Sequence, residues 1–239
     1  MAENVKKNDF VEIDYTGALK DSGEVFDTTI EAVAKKEGLY SPKMAYETIA
    51  LCVGQGQILQ GLDASLEGLE IGKEHVITLP PEKAFGRKDG KLMKLIPTSV
   101  FRKQNINPAP GLQLNIDGMM GVVRTVTGGR VIVDFNHPFA SKEVVYKVLI
   151  KRKLTDDKDK VRALVELVLN QKRDAVTIDI QGAKAIVDIK QRLPTELLDM
   201  VKERITNLLS NIKDVEFKMP EEKKEESKPE SQKAAGQKH

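Results

Sequence analysis

From Phe10 to Leu19 the chain alternates. Val11, Ile13 and Tyr15 lie between Glu12, Asp14 and Thr16, the two-residue period of a strand with one face in a core and one in water. Asp21-Ser22-Gly23 marks a turn, Val25 and Phe26 resume extended structure, and Thr48 to Val53 adds an apolar run. The period then changes. Over Val53 to Gly72 the residues Ile58, Leu59, Leu62, Leu66 and Leu69 recur at spacings of three and four, which predicts one short helix with a shared apolar face. Gln60, Asp63, Glu67 and Glu70 fall mainly on its wet side. Gly54 and Gly56 allow a sharp turn into this helix, and Gly72 stands where it should stop. Glu74 to Leu79 is β-like again and ends at Pro80-Pro81, and Val144 to Lys153 is the next stretch of that kind. A single half-wet helix has to lie across a sheet, so these segments predict an α+β unit whose sheet is interrupted.

The interruption, residues 87-133, is too long for a plain loop and predicts a small domain of its own. Leu92 to Ile96 opens it, and Thr98 or Ser99 should cap a brief helix carrying Val100 and Phe101. After Pro108 and Pro110, Leu112, Leu114 and Ile116 alternate up to the hairpin signal Asp117-Gly118, Met119 to Val126 returns, and Arg130 to Val133 follows Gly128-Gly129. Both ends of such an insert must start close together at the rim of the host, residues 1-86 and 134-154, beside whatever the host binds.

Beyond Leu154 the pattern turns helical. Thr155 and Asp156-Asp157 begin a helix whose Val161, Leu164, Val165, Val168 and Leu169 share a face. Val176, Ile178 and Ile180 alternate, Gln181-Gly182 turns, and Ala183 to Ile189 runs back. Pro194 opens a second helix with Leu197, Leu198, Val201, Ile205, Leu208, Leu209 and Ile212, and Val215 to Phe217 forms a last strand. This α-β-β-α-β unit, 155-219, is near the lower limit for a self-sufficient core, so its helix faces should dock elsewhere or self-associate, as a homodimer through this unit would. The remainder, 220-239, has scarcely an apolar side chain and should be disordered.

Composition narrows the function. With 38 basic and 36 acidic side chains the net charge is +2, which draws the chain neither to nucleic acid nor to an anionic membrane. No signal-like apolar run opens it and nowhere do about 18 apolar residues follow one another, so a soluble cytoplasmic protein is expected. Cys52, the one cysteine, sits between Leu51 and Val53 with no basic neighbour, as a buried thiol would rather than a nucleophile.

Five blocks in order carry a resemblance. They are Asp14-Tyr15-Thr16-Gly17, Val25-Phe26-Asp27, Gly54 through Gly61 with Ile58-Leu59, Glu82-Lys83-Ala84-Phe85-Gly86, and Asn136-His137-Pro138-Phe139-Ala140. Over residues 4-154 the chain resembles the FKBP-type peptidyl-prolyl cis-trans isomerases, in the SlyD-like branch with an insert-in-flap domain, and overall a long archaeal-type form with an added C-terminal domain. The resemblance implies an antiparallel half-barrel sheet wrapped on one helix, and isomerisation of X-Pro bonds in unfolded or nascent polypeptides. It implies a pocket lined by Tyr15, Phe26, Asp27, Val53, Ile58, Leu59, Leu62, Phe85 and Tyr146, with Phe139 at its edge. The Leu59 amide would meet the substrate carbonyl, Tyr15 and Asp27 would form the polar wall, and Phe85 would lie on the carbonyl's far side, where tyrosine is commoner. Leu62 likewise stands where many relatives have tryptophan.

No cofactor or metal is needed for such a reaction. The nickel-binding tail of the branch is not carried over, since this tail has one histidine, His239, and no cysteine, and His75 and His137 read as structural. Met93, Phe101, Met119 and Met120 in the insert could hold unfolded segments near the pocket, which would add chaperone activity, or Phe101 and most of the others could instead form the insert's own core. The competing reading is a dimeric holdase with a vestigial pocket.

Overall fold

The computed structural model describes residues 3–42, 44, 46–169 and 175–220; the charged tail expected over 220-239 lies, apart from Pro220, outside them. The chain runs β1 (Phe10–Leu19), β2 (Val25–Thr28), α1 (Glu31–Lys36), β3 (Ile49–Cys52), α2 (Gln60–Leu66) and β4 (Glu74–Leu79). It continues through β5 (Met93–Pro97), α3 (Thr98–Lys103), β6 (Gln113–Ile116), β7 (Met119–Thr127) and β8 (Arg130–Asp134) before β9 (Val144–Lys153) returns. The last segment is α4 (Asp157–Leu169), β10 (Val176–Gln181), β11 (Lys184–Ile189), α5 (Thr195–Leu208) and β12 (Asp214–Lys218). It is a mixed fold with antiparallel sheets and few helices.

The first sheet has the order β2-β1-β9-β4, and β3 pairs with the other end of β1, all antiparallel. Along β9 the residues Val144, Tyr146, Val148 and Ile150 are buried in one core with Val11, Ile13, Leu51, Val53, Leu62 and Leu66. That core lies between the sheet and α2. The run Ile49 to Val53 is continuous rather than alternating because β3 is covered on both faces. Leu51 and Val53 enter the α2 core, while Phe10 and Cys52 enter a second one with Leu154, Val161, Leu164 and Val165. The helix faces of the C-terminal segment are thus covered within the chain, partly by the first sheet.

That segment forms a sheet of order β10-β11-β12, antiparallel then parallel, with Leu198, Val201 and Ile205 of α5 in the same core as α4. Residues 93–134 form a separate sheet, β5-β8-β7-β6, around Phe101, Leu114, Val123, Val131 and Val133. Its two ends are laced together. Gly86 O accepts from Ser141 N at 2.8 Å, Lys88 N donates to Ser141 Oγ at 2.8 Å, and Asp89 N donates to Asn136 Oδ1 at 2.8 Å. Asn136 in turn donates from its backbone and side-chain nitrogens to Asp134 Oδ1 at 2.9 and 2.8 Å.

Four local expectations change. The helix after Gly56 spans only Gln60–Leu66: Leu59 is non-helical and Glu67 extended, so Ile58, Leu59 and Leu69 reach the same core from loops, and the helix ends before Gly72. Asp63 is not on a wet face but 3 % exposed, because its carboxylate serves a loop. Neither Thr98 nor Ser99 caps α3; Pro97 occupies that position, and the Thr98 hydroxyl is buried with no hydrogen-bond partner among the described residues. Phe101 is 2 % exposed at the centre of the small sheet's core, so it is not open to a client. The short α1, which buries Ala34, had no periodic signal strong enough to foresee.

Candidate active site

β1 and β2 lie side by side with Gly17 opposite Asp27, and this register brings Tyr15, Phe26 and Asp27 together. Thr29 N and the Thr28 hydroxyl donate to Tyr15 O at 3.0 and 3.1 Å, while Tyr15 N donates to Thr29 Oγ1 at 2.9 Å, so the end of β2 is fixed on β1. Across β1 from β2, Tyr146 on β9 faces Gly17. Gly17 has no side chain because there is no room for one. A Cβ there would lie 2.7 Å from the Tyr146 ring and 2.9 Å from that of Phe26.

The second side of the site comes from the loop before α2. Asp63 Oδ1 and Oδ2 accept from Gly54 N at 2.8 Å and Gly56 N at 2.7 Å, which ties the loop carrying Ile58 and Leu59 to the helix behind it. The Leu59 amide has no hydrogen-bond partner among the described residues. Gly61 sets the approach of α2 to the turn at Pro81–Lys83, since a Cβ would stand 2.0 Å from Lys83 O. Phe85 follows that turn, and the return strand from the small sheet brings His137 and Phe139 beside it.

The rings form one cluster. Phe26 lies 5.6 Å from Phe85, 4.8 Å from Phe139 and 5.9 Å from Tyr146, and Tyr15 is 5.9 Å from Tyr146. Val53, Leu62 and Tyr146 are fully buried below, while Tyr15, Phe26, Ile58, Leu59, Phe85 and Phe139 are half-buried around them. The polar atoms are few. Tyr15 Oη donates to Asp27 Oδ2 at 2.7 Å. Burial, then the Asp27 carboxylate, pushes the Tyr15 phenol well above the ordinary tyrosine range, and the same two causes raise Tyr146. Both stay protonated donors at any physiological pH.

Every pocket residue expected from the sequence is therefore in this neighbourhood. A groove of about 490 Å³ lies beyond it, lined by Lys7, Gln60 and Glu67 among others, and shares only Val53 and Ile58 with the ring cluster. In the small sheet Met93, Met119 and Met120 are 41, 40 and 61 % exposed. His75 is structural, its Nε2 paired with Glu70 O at 2.9 Å. His137 is structural as well. Its ring lies parallel to Phe85 with centroids 4.5 Å apart, and its Nδ1 accepts from Phe139 N at 3.2 Å. Sequence reasoning read His137 only as structural, put Asp63 on a wet face, and took Gly61 only as part of the block Gly54 through Gly61. Two glycines just ahead of a helical aspartate were the signal for Asp63, which accepts from both their amides; nothing marked His137 as a ring partner beyond its place beside Phe139.

The model of the FKBP-type peptidyl-prolyl cis-trans isomerase family matches residues 1–101, and that described as FKBP26, IF domain, matches 94–139. A short-type peptidyl-prolyl cis-trans isomerase of Methanocaldococcus jannaschii is 36% identical over 151 residues, 63% of this chain and 95% of the relative. An FKBP-type 16 kDa peptidyl-prolyl cis-trans isomerase of Escherichia coli (strain K12) is 28% identical over 154 residues, 62% and 93% of the two chains. The isomerase SlyD of Aeromonas hydrophila is 29% identical over 143 residues, 59% of this chain and 60% of the other.

Proposed function

This chain belongs to the FKBP-type peptidyl-prolyl cis-trans isomerases, in the SlyD-like group, and from that premise we propose that X-Pro bonds turn in the cleft walled by Tyr15, Asp27, Phe26, Phe85 and Phe139. Enzymes of this family act on proline-containing polypeptides. Rotating the bond costs roughly 18–20 kcal/mol because amide resonance is lost in the twisted state. The twisted amide is less dipolar than the planar one, so a dry, ring-lined cleft disfavours it less than water does. In this reading the prolyl ring sits on Val53, Leu62 and Tyr146, and Ile58 closes one side. The unpaired Leu59 amide donates to the carbonyl of the preceding residue, and the Tyr15–Asp27 pair holds a fixed dipole near the rotating bond. No covalent step is involved: binding, orientation and exclusion of water do the work.

The observation that carries the reading is the 2.7 Å Tyr15–Asp27 bond set inside an otherwise apolar ring cluster, a polar pair that packing alone does not call for. A protease-coupled assay on an Ala-Leu-Pro-Phe type peptide tests it. Asp27→Ala should lower kcat/KM about tenfold or more with the fold intact; unchanged turnover would remove the cleft from the mechanism.

We assign 1-86 and 134-154 to the isomerase domain, 87-133 to an insert domain and 155-219 to a C-terminal domain. The insert's own core supports its boundaries, and most of the core of 155-219 comes from that segment, with Phe10, Cys52 and Leu154 of the isomerase segments packed into it. The insert would act as a chaperone through Met93, Met119 and Met120, with Phe101 holding its core; its tethering at the cleft's rim raises the local concentration of bound clients. A homodimer through the C-terminal domain would have to use the α5 face around Met200, at 53 % exposure the one large apolar side chain that domain leaves open among the described residues. No described helix is long and apolar enough to cross a membrane. A cytoplasmic setting suits a chain whose only cysteine is a buried free thiol. The holdase alternative is not favoured, since a vestigial pocket has no use for the Tyr15–Asp27 pair.

A further inference from the structure

The small charge of the whole chain hides a strong local asymmetry. Residues 87–133 carry eight basic side chains against two acidic ones, a net charge of +6 where the full chain has +2. Some of this is neutralised on the spot: Arg87 pairs with Glu82, and Arg124 and Lys88 approach the buried Asp134 at 3.0 and 3.7 Å. Lys91, Lys94, Arg102, Lys103 and Arg130 are exposed and have no ion-pair partner among the described residues. They are interleaved along the chain with open apolar side chains, Met93 at 41 %, Leu95 at 54 % and Val100 at 44 % exposure.

The strand that carries the densest mixture, β5, is an outer strand of its sheet. Its register sets Met93 opposite Asp134 and Leu95 opposite Ile132, so Met93 and Leu95 share one face and Lys94 takes the other. The same sign continues toward the prolyl cleft, where Lys142 Nζ stands 5.8 Å from the centre of the Phe139 ring. We infer that the insert selects clients by charge as well as by hydrophobicity, and that the class it takes is unfolded polypeptide in which apolar residues are flanked by Asp or Glu. This rests on the chaperone reading of the insert and names its substrate class. Unpaired cations beside apolar surface attract such segments, while a lysine-rich segment of equal hydrophobicity is repelled on approach. A polyanionic nucleic acid would meet the same charge but would lack stacking partners, because Phe101 is buried and Phe135 is packed against the insert's core with Lys94 over its ring.

The test uses the full chain and three unfolded, proline-free fluorescent peptides of identical apolar content, with four Asp, four Asn or four Lys as flanking residues. Anisotropy titrations should show the Asp peptide binding about tenfold tighter than the Asn peptide at low salt, a gap that closes to about twofold near 0.5 M salt, where the screening length is only a few ångströms. Lys94→Glu combined with Arg102→Glu, which leaves residues 87–133 at a net charge of +2, should nearly erase the preference, and the Gln pair in their place, which leaves +4, should narrow it, each with an unchanged melting temperature. Equal binding of all three peptides overturns charge selection and leaves the chaperone reading standing; no binding of any peptide sinks both, and a single-stranded oligonucleotide that outcompetes the Asp peptide overturns the polypeptide assignment.

Discussion

The His137 imidazole lies flat on the Phe85 ring, 2° from parallel with 4.5 Å between centroids. His137 is exposed and Phe85 half-buried, so the imidazole acts as an outer cover for a ring whose edges already meet Phe26 and Phe139. Removing it should loosen Phe85 rather than unfold the domain. For His137→Ala we expect kcat/KM on a prolyl peptide to fall about three- to tenfold, equivalent to about 1 kcal/mol of ring contact. The melting temperature should move by no more than a few degrees. His137→Phe, which keeps a flat ring, should retain most of the activity, and a loss equal to that of alanine would refute the stacking role.

Tyr15 and Tyr146 set the behaviour at high pH. Both phenols are raised above the ordinary value of about 10, first by burial and then by the Asp27 charge. A group whose folded value is raised holds its proton more tightly in the native state. Its contribution is therefore full below about pH 10 and is lost as pH climbs above that toward the folded values. Denaturant melts should show stability falling from about pH 10 upward, and Tyr15→Phe should flatten part of that fall. A wild-type profile that is flat to pH 12 would contradict the burial of these phenols.

Asp63 should matter to activity although it touches no substrate position. Asp63→Ala frees the amides of Gly54 and Gly56 and costs about 2–4 kcal/mol, because hydrogen bonds to a charged acceptor are the strong ones. As a positioning residue it should raise KM more than it lowers kcat, and amide exchange at Gly54 and Gly56 should quicken more than in the sheet. Asp63→Glu, if it recovers protection at both glycines, should recover KM too. Protection unchanged in the alanine variant would show that the loop holds itself.

The strands were legible in the sequence because their alternation is set by burial on one face: β1, β4 and β9 have the bounds that the pattern marks. The helix was less so. Apolar residues at three and four recur from Ile58 to Leu69, but the chain satisfies that core with two loops and only a short helix, and periodicity does not separate the two cases. Asp63 was misread for a related reason. A carboxylate on a helix is usually wet, and only the tertiary fold shows the loop amides that need it. Phe101 went the same way, since a lone aromatic in a small insert could be core or contact surface until the sheet around it is known. The pairing of Phe85 with His137 spans the whole insert, and no local pattern encodes it.

Phe85 offers the most direct probe of the chemistry. In the resemblance that the chain shows to its family, tyrosine is the commoner residue here, so on the proposed reading the cleft has one donor fewer beside the substrate carbonyl. The ring is held on three sides, by Phe26 at 5.6 Å, Phe139 at 5.4 Å and the stacked His137. Phe85→Tyr should therefore keep the ring in place and add only the hydroxyl. If that hydroxyl meets the carbonyl in the twisted state more than in the planar one, it is worth about 1 kcal/mol net, or roughly a three- to tenfold rise in kcat with little change in KM. A fall in KM at constant kcat would mean that the hydroxyl binds both states alike. No change in either, with the variant's fold intact, would show that the carbonyl swings clear of this ring as it rotates, leaving the Leu59 amide to hold it alone.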